Sequence, residues 1–287
     1  MELAKLAKNI RKNTLEALFH AASGHPGPSL SITEIVTSLL FSEMNVEASL
    51  KWKAGDSIHP KLQVPFSESY LEDSLDKDIL ILSKGHAAAT IYAALVELDL
   101  LPKEQLKTLR DLGSPLQGHL VRGTLPLVSA STGSLGQGLS IAIGRALGSR
   151  LKKEERRFYV IIGDGESQEG QIWESAMSAS KFELDNLVAI IDYNKFQNDG
   201  SLESVMPMGS LVDKWKAFGW NTLEIDGHNF DDLEKAFKAA RNFKGKPSAI
   251  IAHTVKGKGI SFMEGSMDWH SKAMSQEEFK SAMDELG

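Results

Sequence analysis

The chain has 287 residues, 32 basic against 38 acidic side chains, a formal net charge of −6 and no cysteine. Without a basic cluster to track a phosphate backbone it makes a poor nucleic-acid binder, and without an apolar run near 18 residues it has no membrane-spanning helix. No linker, charge block or repeat divides it, so a single domain over 1–287 is expected, and an amphipathic start in place of a signal peptide points to the cytoplasm.

Helical periodicity runs from Leu3 to about Ala22 and meets Ser23-Gly24-His25-Pro26-Gly27-Pro28, a turn-dense run expected to stop any helix. A second helix is expected from Ile32 to Phe41, and Asn45 to Asp76, which has no clear period, reads as a long surface excursion. Asp78 to Leu82 reads as a strand closed by Ser83-Lys84-Gly85-His86, followed by an alanine-rich helix from Ala87 to Leu98. A short helix over Pro102–Leu112 and an irregular loop over Gly113–Ser131, holding Gly118-His119, come next. Thr132-Gly-Ser-Leu-Gly-Gln-Gly138 then leads into a helix ending near Arg150.

Phe158–Ile162 and Leu187–Ile191 are short, continuous apolar runs, the pattern of strands buried on both faces. Between them, Trp173, Ala176, Met177 and Ala179 sit at helical spacing, which makes a β-α-β unit with parallel strands. Helices over Leu211–Phe218 and Asp231–Asn242 alternate with strands Asn221–Ile225 and Ser248–Ala252, and an amphipathic run from Ser275 to Leu286 closes the chain. The alternation predicts an α/β fold: three layers, α/β/α, around a mostly parallel, doubly wound sheet.

Gly163-Asp164-Gly165 follows the first of these strands directly, and Asn194 follows the second, 30 residues after Asp164. Both fall at the carboxyl edge of the sheet, where ligands bind in open α/β folds. One carboxylate, one amide oxygen and a backbone carbonyl would leave Mg²⁺ with open positions for a diphosphate, and glycines let backbone N–H groups approach phosphate oxygens. A plain strand-to-helix turn with an Asp cap explains Gly-Asp-Gly alone equally well; the second strand and its Asn weigh against that reading. His25, His86, His119 and His270 lie beside glycines or in loops, where side chains serve function more than packing, although a lone histidine of this kind is more often a structural hydrogen-bonder. Four imidazoles could serve proton transfer near neutral pH.

Taken in order, Ser23-Gly-His-Pro-Gly27, Leu82-Ser-Lys-Gly-His86, Gly118-His119, Thr132–Gly138, Gly163-Asp-Gly165 and Asp192-Tyr-Asn194 resemble the diphosphate-binding, N-terminal half of transketolases. The match runs from about residue 5 to residue 271. The resemblance implies thiamine diphosphate and Mg²⁺ (or Ca²⁺ or Mn²⁺) as cofactors. It makes Asp164, Asn194 and the main-chain carbonyl of Phe196 the metal ligands, places Gly165, His86 and His25 at the diphosphate, and sets Gly133 against the cofactor and Leu135 against its aminopyrimidine ring. It also places His25, His86, His119 and His270 around the thiazolium and the donor sugar, and Glu169 and Glu174 at a subunit interface. Two departures stand out: Lys84 where many full-length transketolases have Asn, and Gly118-His-Leu-Val121 where they have Gly-His-Pro-Glu. Lys84, Lys256 and Lys258 read as phosphate or substrate contacts or, each taken singly, more readily as solvated surface charges.

Transketolases continue into a pyrimidine-binding domain, whose Glu activates the cofactor, and a C-terminal domain; this chain has no counterpart to either. Its amphipathic last helix reads as a natural end. The expectation is the N-terminal subunit of a split transketolase, inert alone and assembled as α2β2 with a C-terminal subunit that supplies the Glu, acting on sugar or sugar-phosphate substrates. The nearest alternatives are the α subunit of a 2-oxo acid dehydrogenase and a noncatalytic diphosphate-binding module. A nicotinamide fold is disfavoured because no Gly-x-Gly-x-x-Gly follows a strand with an acid about 20 positions on.

Overall fold

The computed structural model describes residues 3–46 and 78–287. Most of the expected surface excursion, from residue 47 onward, lies outside the described residues. Five strands, β1 (Ile79–Leu82), β2 (Phe158–Gly163), β3 (Leu187–Tyr193), β4 (Asn221–Asp226) and β5 (Ser248–His253), form one sheet in the order β1-β2-β3-β5-β4. Every pairing is parallel. The helices are α1 (Leu3–His20), α2 (Pro26–Leu30), α3 (Thr33–Ser38), α4 (Ala88–Glu97), α5 (Gln137–Lys152) and α6 (Gly170–Lys181). After these come α7 (Leu202–Val205), α8 (Leu211–Ala217), α9 (Phe230–Asn242) and α10 (Gln276–Glu285).

The strands read as unbroken apolar runs because both of their faces are covered. Alternate residues divide between two cores: Tyr159, Ile161, Val188 and Ile190 pack with α1, α3, α4 and α9, whereas Phe158, Val160, Ile162, Ala189 and Ile191 pack with α5, α6 and α8. This is the period-two alternation of a pleated strand, and each Ile or Leu removed from water in this way contributes about 2 kcal/mol. The expected three-layer architecture is therefore present. The edge strand β4 keeps several residues partly exposed, as one flank of an open sheet must.

The turn-dense run stops α1 at His20, and α2 begins inside it, with Pro26 and Pro28 in its first turn, where an N–H needs no intrahelical acceptor. Two local expectations need correction. The helix expected over Ile32–Phe41 is shorter, and continues from Leu39 to Glu43 as a wider π-turn. The segment after Pro102 is a 3₁₀ turn over Lys103–Thr108. Elsewhere the caps behave as their residue types suggest: Asn229 caps α9, and Ser275 with Glu278 forms a capping box on α10.

Register brings the motifs together. Gly163 at the end of β2 stands opposite Asp192 on β3, and the Asp164 N–H donates to the Asp192 carbonyl at 3.3 Å. The carboxyl ends of β1, β2, β3 and β5 thus deliver Ser83-Lys84, Asp164, Asn194 and Thr254 to one edge.

Candidate active site

A cavity of about 340 Å³ opens at that edge. All four expected histidines line it, as do Gly133, Leu135, Asp164, Gly165, Asn194, Phe196 and Glu169. Of the twelve expected site residues only Glu174 stands apart from it, exposed on α6. A larger cavity, about 620 Å³, lies at the amino end of the sheet among Arg150, Glu154 and Arg157 and holds none of these residues.

Asp164 and Asn194 are buried, 2% and 6% exposed. The Asp164 carboxylate accepts the Gly165 N–H at 2.7 Å and the Lys195 N–H at 2.5 Å, so the backbone beside Asn194 is tied to Asp164. Asn194 accepts the Phe196 N–H at 3.1 Å through Oδ1 and donates through Nδ2 to Asp192 at 2.9 Å. That second bond orients the amide so that its oxygen, not its nitrogen, is left for a ligand. Burial, and then the neighbouring Asp192, push the Asp164 carboxyl up to about 7, which marks an anion short of positive charge. A carboxylate and an amide oxygen side by side are hard donors of the kind Mg²⁺ takes. In the free site the Gly165 N–H, expected at the diphosphate, is held by Asp164.

Two further carboxylates, Asp192 and Glu166, to which the sequence assigned no role, organise the motifs. Asp192 is fully buried and takes Ser31 Oγ at 2.7 Å, the Lys84 ammonium and the Thr254 hydroxyl, in addition to Asn194. Burial opposes its charge, but Lys84 outweighs burial and holds the carboxyl below its ordinary range. Glu166, 3% exposed, accepts from Ser83 Oγ, from Gly136 N at 2.9 Å and from Gly163 N at 3.0 Å, joining three motifs through one side chain. An Asp or Glu amid small polar residues was the available signal, but such residues usually cap turns.

Lys84 and Lys256 are not surface charges. They are 1% and 0% exposed; Lys84 is neutralised by Asp192, whereas Lys256 donates to Gln197 O at 3.2 Å and to His270 Nδ1 at 2.8 Å and has no carboxylate partner among the described residues. Burial, and then Lys84, lower the Lys256 ammonium to about 8. Lys258 does follow the surface reading, pairing with Glu264 at 3.3 Å.

The histidines form one cluster. Ring centroids stand 5.1 Å apart for His25–His86, 5.6 Å for His25–His270, 5.5 Å for His86–His270 and 6.5 Å for His25–His119. Burial depresses all four, reinforced by Arg110 at His25 and His119, by Lys84 at His86 and by Lys256 at His270. His25 falls to about 4 and His270 to about 3. At neutral pH the cluster is uncharged, and His270, whose Nδ1 accepts from Lys256, carries its proton on Nε2. His25 Nδ1 is buried and has no hydrogen-bond partner among the described residues, a group left for a ligand. Gly133, at φ +141°, lets the Thr132–Gly138 loop pass close to His119, since a Cβ there would lie 3.0 Å from the ring.

Residues 63–287 match the family described as transketolase, thiamine diphosphate binding domain. The chain belongs to the transketolase family and is a subunit carrying that domain, so its chemistry is thiamine-diphosphate-dependent ketol transfer. It is 41% identical to the 6-deoxy-6-sulfo-D-fructose transketolase subunit of Clostridium sp. (strain MSTE9), over 100% of this chain and 96% of that one. It is 36% identical to an apulose-4-phosphate transketolase subunit of Phocaeicola vulgatus, over 96% and 90%. The transketolase of Leishmania mexicana superposes with a TM-score of 0.84 at 27% identity, over 100% of this chain but 41% of that one. The chain thus spans about two fifths of that solved transketolase.

Proposed function

We propose that this subunit grips the Mg²⁺ and diphosphate of thiamine diphosphate and, with a second chain, transfers a two-carbon ketol unit from a ketose to an aldose. The carrying observation is one sheet edge that holds a buried carboxylate bonded only by backbone N–H groups, Asp164, and a buried ammonium with no carboxylate bonded to it, Lys256, among the described residues. A metal diphosphate would bring a cation to the first and an anion to the second. Asp164 and Asn194 would hold Mg²⁺ through side-chain oxygens with the Phe196 carbonyl beside them, while His86, Gly165 and Lys256 would face the phosphates. Gly133 and Leu135 would pack against the cofactor's rings.

When bound, the cofactor supplies the electron sink for the two-carbon fragment. This chain's own residues would do the rest. His25, with its free Nδ1, and His119 near the exposed mouth can each hold a hydroxyl of the sugar and take its proton as the C2–C3 bond breaks. Lys256 donates to His270 Nδ1, which leaves the Nε2 of His270 to face the substrate. The substrate names of the two subunit relatives, a sulfo sugar and a sugar phosphate, support a ketose or aldose ending in an anion.

The carboxylate that activates the pyrimidine would come from a C-terminal subunit, in an α2β2 assembly that covers exposed Glu169 and Glu174, and the complex would work in the cytoplasm. Among the described residues no helix is long and apolar enough to cross a membrane. The test is ketol transfer measured with thiamine diphosphate and Mg²⁺, for this chain alone and after co-purification with its partner. Turnover in the complex and none in the single chain is expected. Robust turnover by the single chain would refute the division of labour.

A further inference from the structure

A buried polar relay that never reaches the cavity holds the segment from which Lys256 projects. His228, in the turn after β4, bonds through Nδ1 to Glu34 Oε2 at 2.8 Å, and the Val255 N–H donates to its Nε2 at 2.8 Å. Because a backbone N–H can only donate, Nε2 is the bare nitrogen and Nδ1 carries the proton. The other oxygen of Glu34 takes the Arg11 guanidinium, and Arg11 Nε donates to the Lys258 carbonyl at 3.0 Å. Glu34 and Arg11 are 6% and 8% exposed. Four chain segments, with positions as distant as 11 and 258, meet in this relay.

The two backbone groups it takes lie on either side of Lys256 and Gly257. Inside that bracket the Gly257 N–H donates to Gly27 O at 3.1 Å, the Gly27 N–H donates to Trp269 O at 2.8 Å, and Lys256 O accepts the Gly265 N–H at 2.9 Å. The backbone next to His25 and the residue before His270 are therefore sewn to the same bracket. A Cβ on Gly27 would lie 2.7 Å from Trp269 O and 2.9 Å from Lys256 Cγ, so the packing leaves no slack. A buried ion pair of this kind is weak evidence for stability, since apolar residues of equal volume would often serve as well. What it does provide is direction.

We infer that His228, with Glu34 and Arg11, is a positioning group that fixes Val255 and Lys258 and thereby holds the Lys256 ammonium against His270 Nδ1 and, through it, aims the His270 ring at the cavity. As a statement about catalysis this rests on the ketol-transfer reading above; as a statement about the segment it does not.

The test uses the full chain co-purified with its partner, as wild type, His228→Phe and His228→Gln. Phenylalanine keeps a ring but loses both bonds, whereas the glutamine amide can accept from Val255 and donate to Glu34. The phenylalanine variant is expected to speed amide hydrogen exchange about tenfold over residues 255–265 and leave the sheet unchanged, the signature of local rather than global opening. Its affinity for thiamine diphosphate is expected to fall and its KM for the ketose to rise, each about tenfold, from misplaced binding groups. Glutamine is expected to restore both. Unchanged exchange at 255–265 with phenylalanine, or a rise spread over the whole chain that glutamine does not correct, would overturn the inference. A wild-type complex that fails to transfer ketol units would instead refute the functional reading, and the exchange comparison would still decide the positioning role.

Discussion

The two ends of the sheet treat charge in opposite ways. At the amino end, acids find partners within the chain: Glu43 takes Tyr159 Oη at 2.7 Å and Arg241 at 2.8 Å, Asp78 takes the N–H groups of Asn45 and Arg157, and Glu154 takes Arg156 at 3.1 Å. At the carboxyl end, Asp192 and Lys84 neutralise one another, but Asp164 and Lys256 are buried beside that pair without an ion-pair partner of their own among the described residues. Volume misleads here, since the larger cavity is at the amino end. Unmet charge is the better guide to a ligand, because only a bound group can repay its desolvation.

The strongest way to break this contrast is Asp192→Asn. Leaving the Lys84 ammonium buried without its counter-ion should destabilise the chain by about 3–5 kcal/mol, read by urea or thermal unfolding. Asp164→Asn should do the reverse: the melting temperature of the ligand-free chain should hold or rise, because an unmet buried carboxylate is gone. Its Mg²⁺-dependent affinity for thiamine diphosphate, measured by calorimetry on the complex, should fall about 100-fold, close to 2.7 kcal/mol. A lowered melting temperature with unchanged affinity would place the metal elsewhere.

Acid offers a graded test. His25 and His270 have folded pKa values of about 4 and about 3, below the unfolded value of about 6.5. In that window these two rings bind more protons in the unfolded chain than in the folded one, so their contribution to stability is complete above pH about 6.5 and is lost progressively as pH falls toward 4. Melting at pH 7.5 and pH 5 should show the drop, and His25→Gln with His270→Gln should make it smaller. The smallest effect belongs to the amino end. Arg241→Met breaks a half-exposed pair with Glu43, which keeps Tyr159, and should cost no more than about 1 kcal/mol in the same unfolding assay.

Much of this was legible from sequence. Parallel strands buried on both faces announce themselves as apolar runs, and a residue directly after such a run must stand at the carboxyl edge; that is why Asp164, Asn194 and His86 can be placed without the fold in hand. The histidines were legible as a set because each adjoins a glycine or a loop. Less legible were Glu166 and Asp192, whose roles depend on partners in other motifs, and the burial of the lysines. Lys84 reaches its carboxylate across 108 positions, and nothing near it in the chain distinguishes it from the solvated Lys258.

Sequence alone determined the alternation of strands and helices, and with it the layering and the edge at which chemistry collects, because hydrophobic period and turn chemistry are local properties of the chain. Tertiary structure decided which charges are buried and what remains to neutralise them, because the desolvation of a side chain depends on groups that only folding brings within a few ångströms.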